Sequence, residues 1–290
     1  KQWWLKLQLD NMLVNVLLAN SIPTTLPSGF FPQVWFFLKY YYMSFLRGMG
    51  VTFIVSVVGT IFGFVLGIGL ALLRKLDHPR NENKFVCFLK KFASGFAYCY
   101  IEFFRGTPMM VQAICIFYGV AYIFEVSIPT LLAGFIIVSL NTAAYMAEII
   151  RSGLNSIDQG QIEGSRSLGM NYGQTMFNVI LPQAIKNVIP AIGNELVVNI
   201  KDTSVLSVIM VTDLFYNANL IVNKWYTQFP VYFIVCILYL IMTITLTRLL
   251  RLIEKKMNVV GRISNPTSVT TPSAFANDPN IDFADYGDKK

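Results

Sequence analysis

The sequence predicts an all-α membrane protein with about five transmembrane helices and a cytoplasmic helix-turn-helix loop. Hydrophobic residues make up 54% of the 290 residues and charged residues only 13%, whereas soluble domains average about 25% charged residues. Long apolar segments alternate with shorter polar intervals that carry most of the basic residues. Membrane topology therefore accounts for the net charge of +7, and we expect no nucleic-acid partner.

Each predicted span is an apolar segment long enough to cross a bilayer, which takes roughly 20 residues. The segments are residues 49–73, 92–118 with an interruption, 129–150, 185–208 and 230–252. A further apolar stretch at 9–22 is short for a span. In the first span, Gly59, Gly63 and Gly67 recur every four residues, which predicts a helix face that another helix approaches closely.

Composition divides the chain into three parts. Residues 1–39 are aromatic-rich and interrupted by prolines, and we expect an N-terminal extracytoplasmic or interfacial segment. Residues 40–256 form the predicted transmembrane domain. Residues 257–290 are rich in Ser, Thr, Pro, Asn and Asp, which predicts a disordered cytoplasmic tail. Because the first residue is Lys1 rather than methionine, residues can precede it.

Basic residues orient the spans. Lys and Arg concentrate in the intervals 74–91 and 151–186 and after the last span, at 248–262. The positive-inside rule places these three regions in the cytoplasm. The N-terminus is then outside and the C-terminus inside.

Catalytic signatures are missing from the sequence. The four cysteines have no paired spacing, and His78 is the sole histidine, which argues against a metal site or a catalytic triad. No G-x-x-x-x-G-K-[ST] phosphate loop occurs. We therefore expect no metal, no cofactor and no enzymatic activity in this chain.

Polar residues inside apolar segments are costly and mark candidate pathway positions. Glu102 and Arg105 lie three apart before Gly106-Thr107-Pro108, which should break the helix. Either a structural ion pair at a kink or a pathway role fits them. Further candidates are Thr107 at this break and, in the third and fourth spans, Asn141, Lys201, Asp202, Thr203 and Ser204. Polar groups of both signs suit a ligand with an amine and a carboxylate, although mutual neutralisation with Glu195 or with another span is the alternative. We expect Glu148 and Arg151 to be interfacial or structural.

The interval 163–182 predicts a docking surface. Glu163–Leu168 can form one short helix, Gly169 permits a sharp turn, and Tyr172–Ile180 can form a second helix that Leu181-Pro182 ends. A helix-turn-helix held off the membrane can enter a groove on another protein. The alternative is a loop packed on its own membrane domain.

This interval resembles the cytoplasmic loop of permease subunits of ATP-binding-cassette importers, specifically the polar amino-acid uptake family. The family pattern is E-A-A, three residues, G, nine residues, I-x-L-P. Glu163, Gly169, Leu181 and Pro182 match it, whereas Gly164, Ser165 and Val179 replace the two alanines and the isoleucine. Because glycine costs about 1 kcal/mol relative to alanine in a helix, these replacements should weaken the first short helix.

Further blocks resemble the amino-acid branch of that family, and the similarity covers roughly residues 40–256. They are Ile101–Gln112, Leu140–Arg151 and Gly193–Ile209. The resemblance implies a permease subunit of an ATP-driven, binding-protein-dependent amino-acid importer in a prokaryotic plasma membrane. It implies a second permease, identical or related, an external solute-binding protein, and a cytoplasmic ATPase dimer that docks on the loop and binds ATP and Mg²⁺.

Other functions fit the sequence less well. A related importer for an opine or a small sulfur compound would share these motifs. An ion-coupled carrier usually shows an internal repeat of its spans, and none is visible. A membrane scaffold would not need Lys201 and Asp202 in a span. The sequence names neither the amino acid nor the choice between homodimer and heterodimer.

Overall fold

The computed structural model describes residues 23–74 and 84–264, with side chains at 23–74 and 85–256. The stretch 9–22, His78 and the tail from 265 lie outside these ranges. The described residues form helices and no strand. The α-helices are α1 (Phe30–Arg74), α2 (Lys84–Gly106), α3 (Met109–Phe124), α4 (Thr130–Asn155), α5 (Gln159–Ser167), α6 (Tyr172–Thr175), α7 (Leu181–Asp202), α8 (Leu214–Trp225) and α9 (Phe229–Ser264).

Two irregular helical segments join these elements. A π-helical turn, Met176–Ile180, connects α6 to α7, and a 3₁₀ helix, Thr203–Ile209, follows α7. The residues up to Leu250 form one compact unit. The residues from Arg251 form another, of which the structure describes the end of α9.

Three described helices are long and apolar enough to cross a membrane, namely α1, α4 and α9 up to Lys256. Two helix pairs raise that number to five if each counts as one span: α2 with α3, bent by 112°, and the segment ending at Ile209 with α8, bent by 50°. The all-α membrane fold is thus confirmed. The interruption expected in 92–118 is a bend beyond a right angle, as in a broken span or a re-entrant loop.

Helix α1 begins at Phe30, well before the apolar segment predicted to start at 49. Gly29 has φ +98° and precedes the first turn, and Pro32 lies within that turn, where its missing N–H leaves no helical bond unmade. The added turns carry buried aromatic rings that pack with α8 and α9 in one core: Phe36, Phe37, Tyr41 and Phe45. This long-range packing extends the helix beyond what the local pattern predicts.

The glycine face of α1 packs directly against α4, as predicted. A Cβ placed on Gly59 would lie 2.3 Å from a Val138 side-chain atom. One on Gly63 would lie 2.7 Å from Thr142 Cβ, and one on Gly67 would lie 2.5 Å from Met146 Cβ. These two helices form the most extensive helix pair in the described part of the chain.

Candidate functional site

Two short helices build the loop between α4 and α7. The Asp158 side chain caps α5 by accepting from Gly160 N at 2.6 Å. Asn171 caps α6 in a reciprocal box with Gln174, with both bonds at 2.9 Å. Gly169 adopts φ +77° between the two helices, a region that favours glycine. The predicted helix-turn-helix is therefore present, with caps that satisfy its exposed amide groups.

Ser165 has a structural role that sequence reasoning missed. Its hydroxyl is buried and lies 3.1 Å from Thr175 Oγ1, joining α5 to α6. Ile157, Ile180 and Ala184 form a small apolar core beneath these helices. The loop is thus packed on the ends of α4 and α7, and its opposite face is open.

The second loop helix does not end at Leu181-Pro182, and that part of the prediction is wrong. The π-helical turn passes through Ile180 in helical geometry and continues directly into α7. Pro182 lies in the first turn of α7, where proline is tolerated. The chain therefore runs as one helical segment from the loop to Asp202.

The open face of the loop combines charge with large apolar side chains. Glu163, Gly164 and Pro182 are exposed, while Val179 and Leu181 are half-buried. Sequence reasoning missed three apolar members of this face: Leu168 (83% exposed), Tyr172 (69%) and Phe177 (70%). Large apolar residues in an otherwise polar loop are the sequence signal that could have identified them. Such a rimmed apolar patch is typical of a protein contact surface.

The helix break at Gly106-Thr107-Pro108 is held by Gln112. This buried side chain donates to Phe104 O and Thr107 O, each at 2.9 Å, and to Thr107 Oγ1 at 2.8 Å. Its own oxygen accepts from Asn141 Nδ2 at 2.9 Å. Carbonyls freed by the break are thereby satisfied inside protein, as membrane depth requires. Two predicted pathway residues, Thr107 and Asn141, meet here through Gln112.

Glu102 and Arg105 are both exposed on α2. Within the described ranges they form no ion pair with each other. Arg105 instead lies over the Tyr145 ring of α4, 5.9 Å from its centroid. The expected ion pair at the kink is therefore absent, and a pathway role for either residue stays a prediction.

The four predicted polar residues at the end of α7 point in different directions. Lys201 is exposed, Asp202 and Ser204 are half-buried, and Thr203 is buried. Thr203 and Ser204 donate to backbone carbonyls three residues earlier. In the described part of the chain, Lys201 forms no ion pair with Glu195 or Asp202. Neutralisation of Lys201 by Glu195 is therefore not found among the described residues.

A buried polar cluster one turn earlier was missed by sequence reasoning. Asn199 Nδ2 donates to Thr60 Oγ1 at 2.9 Å and to Thr142 Oγ1 at 3.0 Å. The cluster ties α7 to both α1 and α4. Since Thr142 follows Asn141 on α4, the two polar clusters lie side by side at membrane depth.

Glu148 pairs with two arginines near the C-terminal end of α4. Its Oε2 accepts from Arg151 Nε at 3.0 Å and Nη2 at 2.7 Å, and its Oε1 accepts from Arg74 at the end of α1. Glu148 and Arg151, expected to be interfacial or structural, thus form an ion pair with each other. Among the described residues, no group of three His, Cys, Asp or Glu is arranged to hold a metal ion.

The family model described as "Binding-protein-dependent transport system inner membrane component" matches residues 87–259. The chain belongs to this family of transport permeases. Members work with an ATPase and a binding protein. The matched range contains the capped loop, the broken helix and the end of α7.

Relatives and solved structures indicate which members of this family the chain resembles in sequence and fold. A permease named for glutamine transport in Rickettsia felis is 34% identical over 79% of this chain and 96% of the relative. An arginine transport system permease protein of Bacillus subtilis is 34% identical over 73% of this chain and 91% of the relative. The crystal structure of an amino acid ABC transporter with histidines covers 80% of this chain and 100% of its own, with 35% identity and a TM-score of 0.70. The MetNI methionine transporter, at 19% identity and a TM-score of 0.56, shares the fold.

Proposed function

We propose that this chain is the permease subunit of an ATP-driven importer of amino acids in a prokaryotic plasma membrane. The single observation that carries the proposal is the capped loop, which continues without interruption into the helix ending at Lys201-Asp202. Relatives named for glutamine and arginine transport support an amino-acid substrate. A helix that is continuous from loop to pathway can transmit movement of the loop.

The loop docks a cytoplasmic ATPase dimer. Glu163 offers a charge beside the exposed Leu168, Tyr172 and Phe177, and together they form an amphipathic surface of the kind that fits a groove. ATP and Mg²⁺ are bound and ATP is hydrolysed on that partner. ATP binding closes the ATPase dimer and pushes the loops of two permeases together, and hydrolysis resets them.

A second permease, identical or related, completes the pathway. Lys201 and Arg105 are charged, lie in or beside candidate spans and are exposed in the single chain. A charge at membrane depth is costly unless protein or water covers it. A second subunit covers these charges with protein, and a polar pathway at the surface between the two subunits supplies water. Asp202, Thr203, Ser204, Asn141, Thr107 and Glu102 complete the proposed pathway set.

The orientation follows from the basic residues. The loop, the end of α1 and the C-terminus face the cytoplasm, and the N-terminus faces outward. An external solute-binding protein delivers the amino acid to the outward face. Selectivity among amino acids rests largely with that protein, so the permease needs only to fit a zwitterion.

The test is a detergent pull-down of the tagged full-length chain from its native membrane, with Glu163→Lys as the variant. We expect the wild type to retain a stoichiometric ATPase and Glu163→Lys to lose most of it at normal membrane level. Gln161→Lys is the matched control, because Gln161 is exposed on the same helix but two residues away, on its opposite side. A chain that purifies alone and still moves solute overturns the proposal.

A further inference from the structure

A cleft opens beside the end of α1 and the last turns of α4. It measures about 210 Å³ and is lined by Ala71, Arg74, Arg151, Leu154 and Asn155. A water molecule occupies roughly 30 Å³ in the liquid, so the cleft has room for a larger group. Two of its five lining residues are arginines, and two are apolar.

The charges around this cleft do not balance. Arg74 and Arg151 share one carboxylate, that of Glu148. In the part of the chain that the structure describes, no second carboxylate pairs with either arginine. One positive charge is therefore in excess. Arg74 is 24% exposed and lies over the Tyr98 ring, whereas Arg151 is 49% exposed, so its guanidinium is accessible from outside the protein.

The donors that remain suit an oxyanion. Each guanidinium carries five N–H donors in a planar fork, and Glu148 takes one nitrogen of Arg74 and two of Arg151. Arg74, Arg151 and Asn155 all line the cleft. Guanidinium forks favour phosphate and carboxylate oxygens over other ligands. The Ala71 and Leu154 walls add an apolar side that a bare inorganic anion does not use.

We propose that this cleft binds a phosphate monoanion or diester, supplied by the headgroup of an anionic phospholipid in the cytoplasmic leaflet. Arg74 ends the apolar run of α1, which places it at headgroup depth, and the cytoplasmic leaflet is rich in anionic lipid. The leaflet assignment rests on the orientation proposed above. The headgroup contacts the arginines, and its glycerol and first methylene groups contact Leu154 and Ala71.

The cleft adjoins the base of the docking loop. Gly153 of α4 packs against Val188 of α7, and Asn187 Nδ2 donates to Ser156 Oγ at 2.9 Å. A bound phosphate joins Arg74 of α1 to Arg151 of α4 immediately beside these contacts. Anionic lipid therefore stabilises the platform on which the loop rests.

The test is a titration of the purified full-length chain in detergent with short-chain phosphatidylglycerol, monitored by the thermal unfolding midpoint. Phosphatidylcholine of the same chain length and inorganic phosphate are the comparison ligands. Arg151→Gln removes one fork of the site. Arg151→Lys keeps its charge, and Arg248→Gln removes an exposed arginine of α9 outside the cleft.

We expect the wild type and Arg248→Gln to prefer phosphatidylglycerol over phosphatidylcholine by about tenfold, and Arg151→Gln to lose that preference. Arg151→Lys should retain part of it. If inorganic phosphate binds as tightly as phosphatidylglycerol, the phosphate site stands and the lipid source is replaced by a soluble anion. Equal binding of both lipids to the wild type, or an unchanged preference in Arg151→Gln, overturns the proposal. The thermal unfolding midpoint depends on neither transport nor an ATPase, so this test is separate from that of the function proposed above.

Discussion

At the scale of single residues, Asn199 connects α7 to both α1 and α4. It is 2% exposed and bonds hydroxyl groups on two other helices, Thr60 and Thr142. A buried amide of this kind is stabilising only while its partners stay in place. The side chain therefore sets the position of α7 one turn before Asp202.

We predict that Asn199→Ala lowers the free energy of unfolding by about 1–3 kcal/mol, because it removes the partner of two buried hydroxyl groups. The measurement is the thermal unfolding midpoint of the purified chain in detergent. Asn194→Ala is the control, since Asn194 is exposed on the same helix. Equal midpoints for the two variants would argue against the cluster.

At the scale of elements, the loop helix α5 forms despite carrying Gly164 and Ser165 where the family pattern has alanines. The Asp158 cap and the buried Ser165–Thr175 bond support it. Ser165 therefore offsets part of what Gly164 costs. The Ser165 hydroxyl, which stands where the family pattern has an alanine methyl group, makes a contact between α5 and α6.

Two glycines of this loop should respond in opposite directions to alanine. Gly164→Ala places a methyl group in open space and stabilises α5 by about 1 kcal/mol. Gly169→Ala forces a side chain into φ +77°, which costs roughly 1–2 kcal/mol. Amide hydrogen exchange of the α5 peptide in the full chain should slow in the first variant and quicken in the second. A shift of the same sign in both would contradict the assignment of the turn.

At the scale of the whole molecule, the second loop helix, α6, and the end of α7 belong to one continuous helical segment. In the function proposed above, the loop binds a partner and Lys201-Asp202 faces the pathway. Damage at one end should therefore spare the task of the other.

We predict that Asp202→Asn reduces amino-acid uptake by reconstituted vesicles several-fold and leaves the amount of co-purified ATPase unchanged. The change removes a charge and keeps the shape of the side chain, so folding is preserved. Glu254→Gln is the matched carboxylate-to-amide control and should alter neither quantity. Equal losses of uptake and ATPase would make Asp202 a structural residue.

Local patterns predicted much of this molecule. The four-residue glycine period predicted a close helix contact, which α1 makes with α4. The Gly-Thr-Pro sequence predicted the helix break, and the loop pattern predicted two helices around Gly169. Each of these signals lies within a few residues of sequence. The loop pattern wrongly predicted a helix end at Leu181-Pro182, because a π-helical turn places that proline in the first turn of α7.

Other features depend on partners far along the chain. Thr142 and Thr60 are 57 and 139 positions from Asn199, and no local period reveals such a meeting. The early start of α1 depends similarly on α8 and α9, which cover its aromatic face. The role of Gln112 becomes visible only once the break exposes carbonyls for it to satisfy.

The close packing of α1 against α4 at Gly59, Gly63 and Gly67 limits how the domain can change shape. Val138, Thr142 and Met146 each sit in a gap that a single methyl group would fill. Sliding α1 along α4 by even one residue, about 1.5 Å, would drive these side chains into the neighbouring turns. The two helices therefore behave as one stationary frame. If the chain works as the importer subunit proposed above, its changes of shape fall to the helices packed around that frame rather than to the α1–α4 pair itself.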